Sequence, residues 1–281
     1  MQESSKKDFV EALARGIEVI RSFDRLHLKQ TISQISGRTL LARPTVLRLL
    51  ITLEELGYVR SQDNHYSLTP KVVDLGMAYV SSLGLYGAAK FHMENLSKEV
   101  DQSVSLAELD GSDIVYTGRV EVPKIVSVGV TVGARLPSAS TALGRVLLAA
   151  IPDAELHNVL STPSMSMYAP RTRFTAEQIR PRLHTVREQG WAESDEDLQY
   201  GVQAIAAPLR DTEGRVIAAI GIGTHTSEVG KEIVRERYLP LLLETARSIE
   251  NDWSECRKLP TSESSLNMDG MHLLHLRRNS L

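Results

Sequence analysis

Between Phe9 and Phe23 the apolar residues Phe9, Val10, Leu13, Ile17 and Ile20 recur at helical intervals, which predicts an amphipathic helix. Thr31 then supplies an N-cap for a short helix carrying Ile32 and Ile35. From Pro44 to Leu56 the residues Val46, Leu49, Leu50, Leu53 and Leu56 fall on one face. Pro44 suits a first helical turn, where its missing N–H would be unpaired anyway, and Gly57 suits the end. Tyr58–Ser61 and His65–Leu68 flank a turn at Gln62-Asp63-Asn64 and read as a hairpin.

Thr69-Pro70 repeats the cap-then-proline pattern and opens a helix through Val72, Val73, Leu75, Val80 and Leu83. Gly84 and Gly87 interrupt it and mark a joint between domains. Ala88–Val100 is helical again, and then the pattern changes. Ser103–Leu109 and Ile114–Val120 form a hairpin across Asp110-Gly111, and the β-branched run Ile125–Val132 predicts a further strand. Ser138–Ala150 reads as a helix entered from Pro137. Thr175-Ala-Glu-Gln178 is a capping box whose helix Gly190 can stop. Val202–Leu209 and Val216–Ile222 make another hairpin, and a last helix runs from about Lys231 to Trp253. Helices and strands alternating around one antiparallel sheet predict an α+β architecture.

The 281 residues suggest about two domains. Apolar residues at 42% and charged residues at 24% are ordinary for a folded domain. The formal net charge of −3 hides an asymmetry: residues 1–70 hold 10 Lys and Arg against 8 acids, and the rest is acidic. Arg25, Lys29, Arg38, Arg43 and Arg48 stand in a window, residues 25–53, that contains no acid. Such a window suits a polyanion, although basic residues alone equally suit a solvated face. Cys256 is the single cysteine, which excludes an internal disulfide and predicts a reduced, cytoplasmic setting. No apolar run approaches the roughly 18 residues of a membrane span. The first residues lack the apolar core of a secretory signal.

Two groups of residues carry candidate chemistry. The helix entered at Pro44 buries its apolar stripe and offers Arg43, Thr45 and Arg48 on the other side. Arginine and small hydroxyl residues on an early helical turn fit a major groove. Thr31 and Lys29 stand before the second helix, and Arg60 and His65 lie on the hairpin, where they would meet the backbone of DNA. A helical assembly subdomain with solvated charges stays open on periodicity alone. The helix after Pro137 offers free backbone N–H groups together with Ser138, Ser140 and Thr141, a combination able to hold a carboxylate. The acids Asp195, Glu196 and Asp197 read as a solvated loop, and the eight histidines show no ligand spacing in a structured segment. No catalytic group, metal or cofactor is expected. The rival function is a small-molecule enzyme with an N-terminal helical assembly subdomain.

Thr31-Ile-Ser-Gln-Ile followed by Arg43-Pro-Thr-Val-Leu-Arg-Leu-Leu-Ile-Thr-Leu-Glu-Glu-Leu-Gly-Tyr-Val59 resembles the winged helix-turn-helix of IclR-type transcription regulators. Gly133-Ala-Arg-Leu-Pro-Ser-Ala-Ser-Thr-Ala-Leu-Gly-Arg-Val-Leu-Leu-Ala149 and Gly201-Val-Gln-Ala-Ile-Ala-Ala-Pro-Leu209 resemble that family's ligand domain. Two positions depart from the pattern: Ser36 replaces a small Ala, and Leu40 replaces the Gly of the turn.

The resemblance implies a winged helix-turn-helix over 8–69, a linker helix over 70–87 and a GAF-like effector domain with an antiparallel sheet over 88–257. Residues 258–281 are left as a flexible or appended tail. It also implies homodimers that pair into tetramers on double-stranded operator DNA, the linker helix carrying the dimer seam. The family's small-acid pocket maps onto Thr141, Ala142, Leu143, Ser194, Gln203, Ala204, Gly221 and Gly223. Gly221 and Gly223 stand where some relatives carry serine, which leaves a roomier wall. The overall pattern is most similar to the branch controlling aromatic-acid and β-ketoadipate catabolism. That implies a carboxylate effector such as 4-hydroxybenzoate or a ring-cleavage acid.

Overall fold

The computed structural model describes residues 9–24, 26–76, 84–124 and 129–258. The chain divides into two compact units, Met1–Ser82 and Leu83–Leu281.

The first unit packs α1 (Glu11–Arg21), α2 (Ile32–Thr39) and α3 (Arg43–Glu55) against a hairpin of β1 (Val59–Gln62) and β2 (His65–Leu68). Its core is Val19, Ile35, Val46, Leu50, Leu53, Val59 and Tyr66. Thr31 caps α2 in a full capping box with Gln34, as its sequence spacing predicts. Gln30 and Tyr66 exchange backbone hydrogen bonds of 3.0 and 2.8 Å, which seat the hairpin against the segment entering α2. Asp63 and Asn64 both take positive φ, the two-residue hairpin turn whose twist matches the strands. The apolar stripe of α1 is offset from its packed side: Val19 is buried, whereas Phe9, Val10, Leu13 and Ile17 are exposed. Residues 72–76 form the start of the linker helix, α4. Lys71 Nζ donates to the Leu56 carbonyl at 2.9 Å and Thr69 Oγ1 to that of Gly57 at 2.6 Å, fixing this start to the end of α3. Of the rest of the linker expectation, residues 77–83 lie outside the described residues, as does the tail from 259, and Gly84 instead leads into α5 (Leu85–Val100).

The second unit is built on a six-stranded antiparallel sheet in the order β5-β4-β3-β8-β7-β6. Its strands are β3 (Ser103–Asp110), β4 (Asp113–Val120), β5 (Arg135–Pro137), β6 (Ala192–Asp195), β7 (Val202–Arg210) and β8 (Val216–His225). One face carries Val104, Leu106, Ile205, Ala207, Ile220 and Ile222 under α5 (Leu85–Val100) and α10 (Leu239–Lys258). The other carries Ala107, Tyr116, Ala206 and Ala219 under α6 (Ala142–Ala149), α7 (Asp153–Ser161) and α8 (Ala176–Gln189). α10 is preceded by a turn, α9 (Lys231–Ile233), and a π-helical segment, Val234–Tyr238. Pro240 cannot donate to the carbonyl four residues back, which accounts for the widened register there.

Two expectations change. Of the strand expected over Ile125–Val132, residues 125–128 lie outside the described residues and 129–132 are irregular; the next strand along the chain is β5. The helix expected from Ser138 begins at Ala142 instead. Ser138–Ser140 form a 3-10 turn, and Thr141, extended at φ −125° and ψ 148°, is the true N-cap. Its hydroxyl accepts from Gly144 N, and a Cβ at Gly144 would fall 2.1 Å from the Ser138 carbonyl oxygen. Only glycine lets the turn fold back onto the helix.

Candidate functional site

The helix-turn-helix keeps its geometry despite both departures noted in the sequence. Leu40 sits in the left-handed region at φ 57° and ψ 16°, with its side chain 90% exposed. A non-glycine residue there is strained by about 1–2 kcal/mol. Ser36, the other departure, donates its hydroxyl to the Leu41 carbonyl at 2.6 Å and so ties α2 to the far side of the turn. The two unusual residues therefore act on one piece of backbone.

α3 presents Arg43 and Arg48 exposed at its start and outer face, with Thr45 half-buried between them. Lys29 is exposed before α2, and the Thr31 side chain is engaged in the capping box. On the hairpin, Arg60 Nε donates to Ser67 Oγ at 3.2 Å, while His65 stays exposed with Nδ1 2.9 Å from the Asp63 carbonyl. Among the described residues, no carboxylate pairs with Lys29, Arg43, Arg48 or Arg60. Arg38 differs. Its Nη2 donates to Asp24 at 2.6 Å, and Asp24 also holds His27 at 2.7 Å. The window drawn from residue 25 left this acid just outside, so Arg38 is compensated; Arg25 lies outside the described residues.

In the second unit a cavity of about 130 Å³ opens on the sheet face below α6. Its floor follows from residue size. One row across the sheet reads Ser194, Ala204, Gly223, Ser103, and the adjacent row reads Ala192, Ala206, Gly221, Ser105, Arg119. Strands lie only about 4.8 Å apart, so two rows that stay small from β6 to β3 leave a trough that helices above cannot fill, with Arg119 at one end. The two glycines are not equivalent. A Cβ on Gly223 would touch nothing within 4 Å, whereas one on Gly221 would lie 2.7 Å from the Ile205 carbonyl oxygen and 3.1 Å from Leu143 Cδ2. Leu143 covers Gly221, and Gly223 remains bare.

Ser140, Thr141, Ala142, Leu143, Ser194, Ala204, Gly221 and Gly223 all line this cavity. Ser138 and Gln203 do not. Ser138 is fully buried and donates to the Ser112 carbonyl at 2.7 Å. Gln203 alternates to the opposite face, where Nε2 donates to the Val229 carbonyl at 2.6 Å. The remaining hydroxyls at the head of α6 also have partners: Ser140 donates to the Thr172 carbonyl at 2.7 Å and Thr141 to that of Ser138 at 3.2 Å.

The charged lining lies outside the residues that the sequence points to. Tyr116, Arg119, Lys124, Tyr200, His225 and Glu228 also face the cavity. Burial pushes the Tyr116 hydroxyl up to about 12, so it stays protonated and neutral at physiological pH. Lys124 is raised above its ordinary value, chiefly by its hydrogen bond to Asp101 at 2.8 Å, and Glu228 stands 3.7 Å away. The signal for Arg119 was its place in register opposite Ser105, which no sequence motif announces.

The acid run 195–197 is more than a solvated loop. Asp197 accepts from Arg145 Nη2 at 2.7 Å, and that guanidinium, with its side chain 6% exposed, also donates to the carbonyls of Ala139 and Glu193 at 3.1 and 2.7 Å. Burial lowers the Arg145 pKa and Asp197 opposes the shift. Arg145 does not line the cavity, but it braces three segments that do. Asp195 pairs with Lys231 and Glu196 with Arg171.

Among the described residues no group of three or more His, Cys, Asp and Glu side chains is placed to hold a metal, and no helix is long and apolar enough to cross a membrane.

Comparison with known proteins agrees with this arrangement. The family profile described as IclR helix-turn-helix domain matches residues 12–63, and that of the bacterial transcriptional regulator IclR C-terminal matches residues 77–251. The Pca regulon regulatory protein of Pseudomonas putida is 39% identical over 243 residues, covering 86% of this chain and 84% of that protein. The p-hydroxybenzoate hydroxylase transcriptional activator of Acinetobacter baylyi is 26% identical over 255 residues, covering 89% and 94%. A transcriptional-regulator structure from Rhodococcus sp. RHA1 superposes with a TM-score of 0.78 at 40% identity, covering 88% of this chain and all of that one. An IclR homolog from Microbacterium hydrocarbonoxydans, solved with 4-hydroxybenzoate, gives a TM-score of 0.74 at 28% identity, covering 87% and 99%. The chain belongs to the IclR family of ligand-responsive, DNA-binding transcription regulators.

Proposed function

We propose that this regulator controls genes for the breakdown of aromatic acids, that its effector is an organic acid held in the cavity under α6, and that it acts without catalysing a reaction. The observation that carries the reading is the pairing, in one chain, of uncompensated cations on α3 with an open trough over Gly223. The relatives named for the Pca regulon and for p-hydroxybenzoate support the pathway and the effector class. Arg43, Thr45 and Arg48 read the major groove, while Lys29, Thr31, Arg60 and His65 approach the DNA backbone. The regulator works as a homodimer that pairs into a dimer of dimers, for which the exposed Leu13 and Ile17 of α1, with Phe9 just before it, supply one apolar contact surface.

The test is binding to the DNA upstream of its own gene, followed by fluorescence anisotropy at several salt concentrations. Arg48→Ala should weaken specific binding by about 1–3 kcal/mol. Binding without salt dependence, or unchanged by Arg48→Ala, overturns the placement of α3. Calorimetric titration with 4-hydroxybenzoate, protocatechuate and 3-oxoadipate tests the effector, and no heat from any of them overturns that class.

A further inference from the structure

We infer that Leu47 and Ile51 of α3 read thymine in the operator by packing on its 5-methyl group; this rests on the reading that α3 lies in the major groove. α3 meets the core of its unit with Val46, Leu50 and Leu53, all buried. Leu47 and Ile51 stand one turn apart outside that stripe and are 39% and 55% exposed. Among the described residues, neither belongs to that core or to the apolar side chains packed against it. Two large aliphatic side chains thus lie next to each other in water, where they contribute nothing to holding the unit together.

The charges around the pair point to its partner. Arg43 precedes Leu47 by one turn and Arg48 follows it directly; both are exposed, and neither pairs with a carboxylate among the described residues. Acids enter α3 only past Ile51. Glu54 accepts from the Ser61 backbone N–H at 2.9 Å, and Glu55 is exposed. A helix that is basic and apolar in its first turns and acidic in its last presents its start, not its end, to a polyanion.

The major groove supplies a partner for each part of this surface. Phosphates and the guanine edge take the arginines, and the thymine 5-methyl group is the apolar projection that the four bases offer there. Packed on it, Leu47 and Ile51 distinguish T·A from C·G, a choice that the arginines cannot make at a thymine. The pair is therefore a second reading element on α3, added to the polar one and separable from it.

The experiment takes the DNA segment that the full-length protein protects upstream of its own gene and replaces each thymine singly by deoxyuridine, which removes the methyl group and keeps every hydrogen-bonding group. Affinity is read by fluorescence anisotropy for the wild type, for Leu47→Ala combined with Ile51→Ala, and for Arg48→Ala. At one or two thymines of each half-site the wild type should lose about 3- to 5-fold, the worth of one methyl group returned to water. The same replacements should leave the double variant unaffected. Both side chains are exposed and alanine favours a helix, so thermal unfolding and affinity for non-operator DNA should match the wild type. Wild-type binding indifferent to every replacement, or a double variant as sensitive as the wild type, overturns the inference and leaves α3 in the groove as long as Arg48→Ala weakens binding. A double variant that changes its sedimentation but keeps its thymine sensitivity assigns the pair to contact between copies and overturns the inference as well. Operator binding unchanged by Arg48→Ala overturns the placement of α3, and this inference with it.

Discussion

Gly221 and Gly223 stand two residues apart on β8 and line the same cavity, yet substituting them should have opposite effects. Neither has the positive φ that penalises a side chain, so the comparison depends on space alone. At Gly223 a Cβ meets nothing within 4 Å. Gly223→Ala should therefore leave the fold intact and gain about 0.4–1 kcal/mol from the reduced freedom of the unfolded chain. At Gly221 the Cβ would press the Ile205 carbonyl oxygen at 2.7 Å, and backbone in a central strand cannot swing aside. Gly221→Ala should cost about 1–3 kcal/mol by overpacking. In a domain of this size each kcal/mol moves the melting temperature by roughly 2–4 °C, so calorimetric scans resolve the two signs. The ligand readout separates them further. Gly223→Val places its methyl groups in the trough and should weaken effector binding at least tenfold without loss of stability. Equal destabilisation by Gly223→Ala and Gly221→Ala would mean that the register is wrong. Effector binding by Gly223→Val like that of the wild type would mean that the trough is not the site.

Two further pairs extend the test. Ser36→Ala should cost about 1 kcal/mol in denaturant unfolding by removing the bond to the Leu41 carbonyl. Leu40→Gly should gain up to about 1 kcal/mol, left-handed strain relieved less the added freedom of glycine, and in that background Ser36→Ala should cost less. Asp197→Ala should destabilise the second unit by about 3–5 kcal/mol in urea unfolding, since it leaves Arg145 buried without its acid. Replacing both residues by apolar ones should cost clearly less than Asp197→Ala alone, and an equal or larger loss would show that the bonds of Arg145 to the Ala139 and Glu193 carbonyls dominate instead.

The elements legible in the sequence are those whose determinants are local. The capping boxes at Thr31 and Thr175, the Asp63-Asn64 turn and the paired runs that become β3 with β4 and β7 with β8 all rest on residues within one or two turns of each other. What was not legible depends on distant partners. The start of α6 slipped from Ser138 to Ala142 because Ser138 bonds Ser112, 26 residues away. The stripe of α1 predicts a helix correctly but not which part of it is buried, since Val19 enters the core and Ile20 packs against it while Leu13 and Ile17 stay exposed. Arg38 has its acid 14 residues away and Asp197 its partner 52 away, so neither pairing is visible in the local sequence. Gln203 was placed in the pocket with its neighbours, although strand alternation sends it to the other face from Ala204.

That same alternation explains why the site is a property of the sheet more than of any motif. The family-like run 133–149 builds the roof, and its polar side chains are engaged in holding that roof: Ser138 to the β3–β4 turn, Ser140 to Thr172, Thr141 to Ser138 and to Gly144, Arg145 to Ala139, Glu193 and Asp197. With its side chains tied down, the roof keeps for a ligand only backbone N–H groups, those of Ala142 and Leu143, which are the same whatever the side chains are. Selection then falls to the floor, where substitutions are cheap because side chains there face open volume. Gly223 can change size without strain, and Arg119 can change charge without removing a backbone bond. A shared roof over an adjustable floor is the arrangement in which related regulators can keep one fold and differ in the acid they sense, so exchanges between relatives at 119 and 223 should transfer ligand preference where exchanges at 138–145 only weaken the fold.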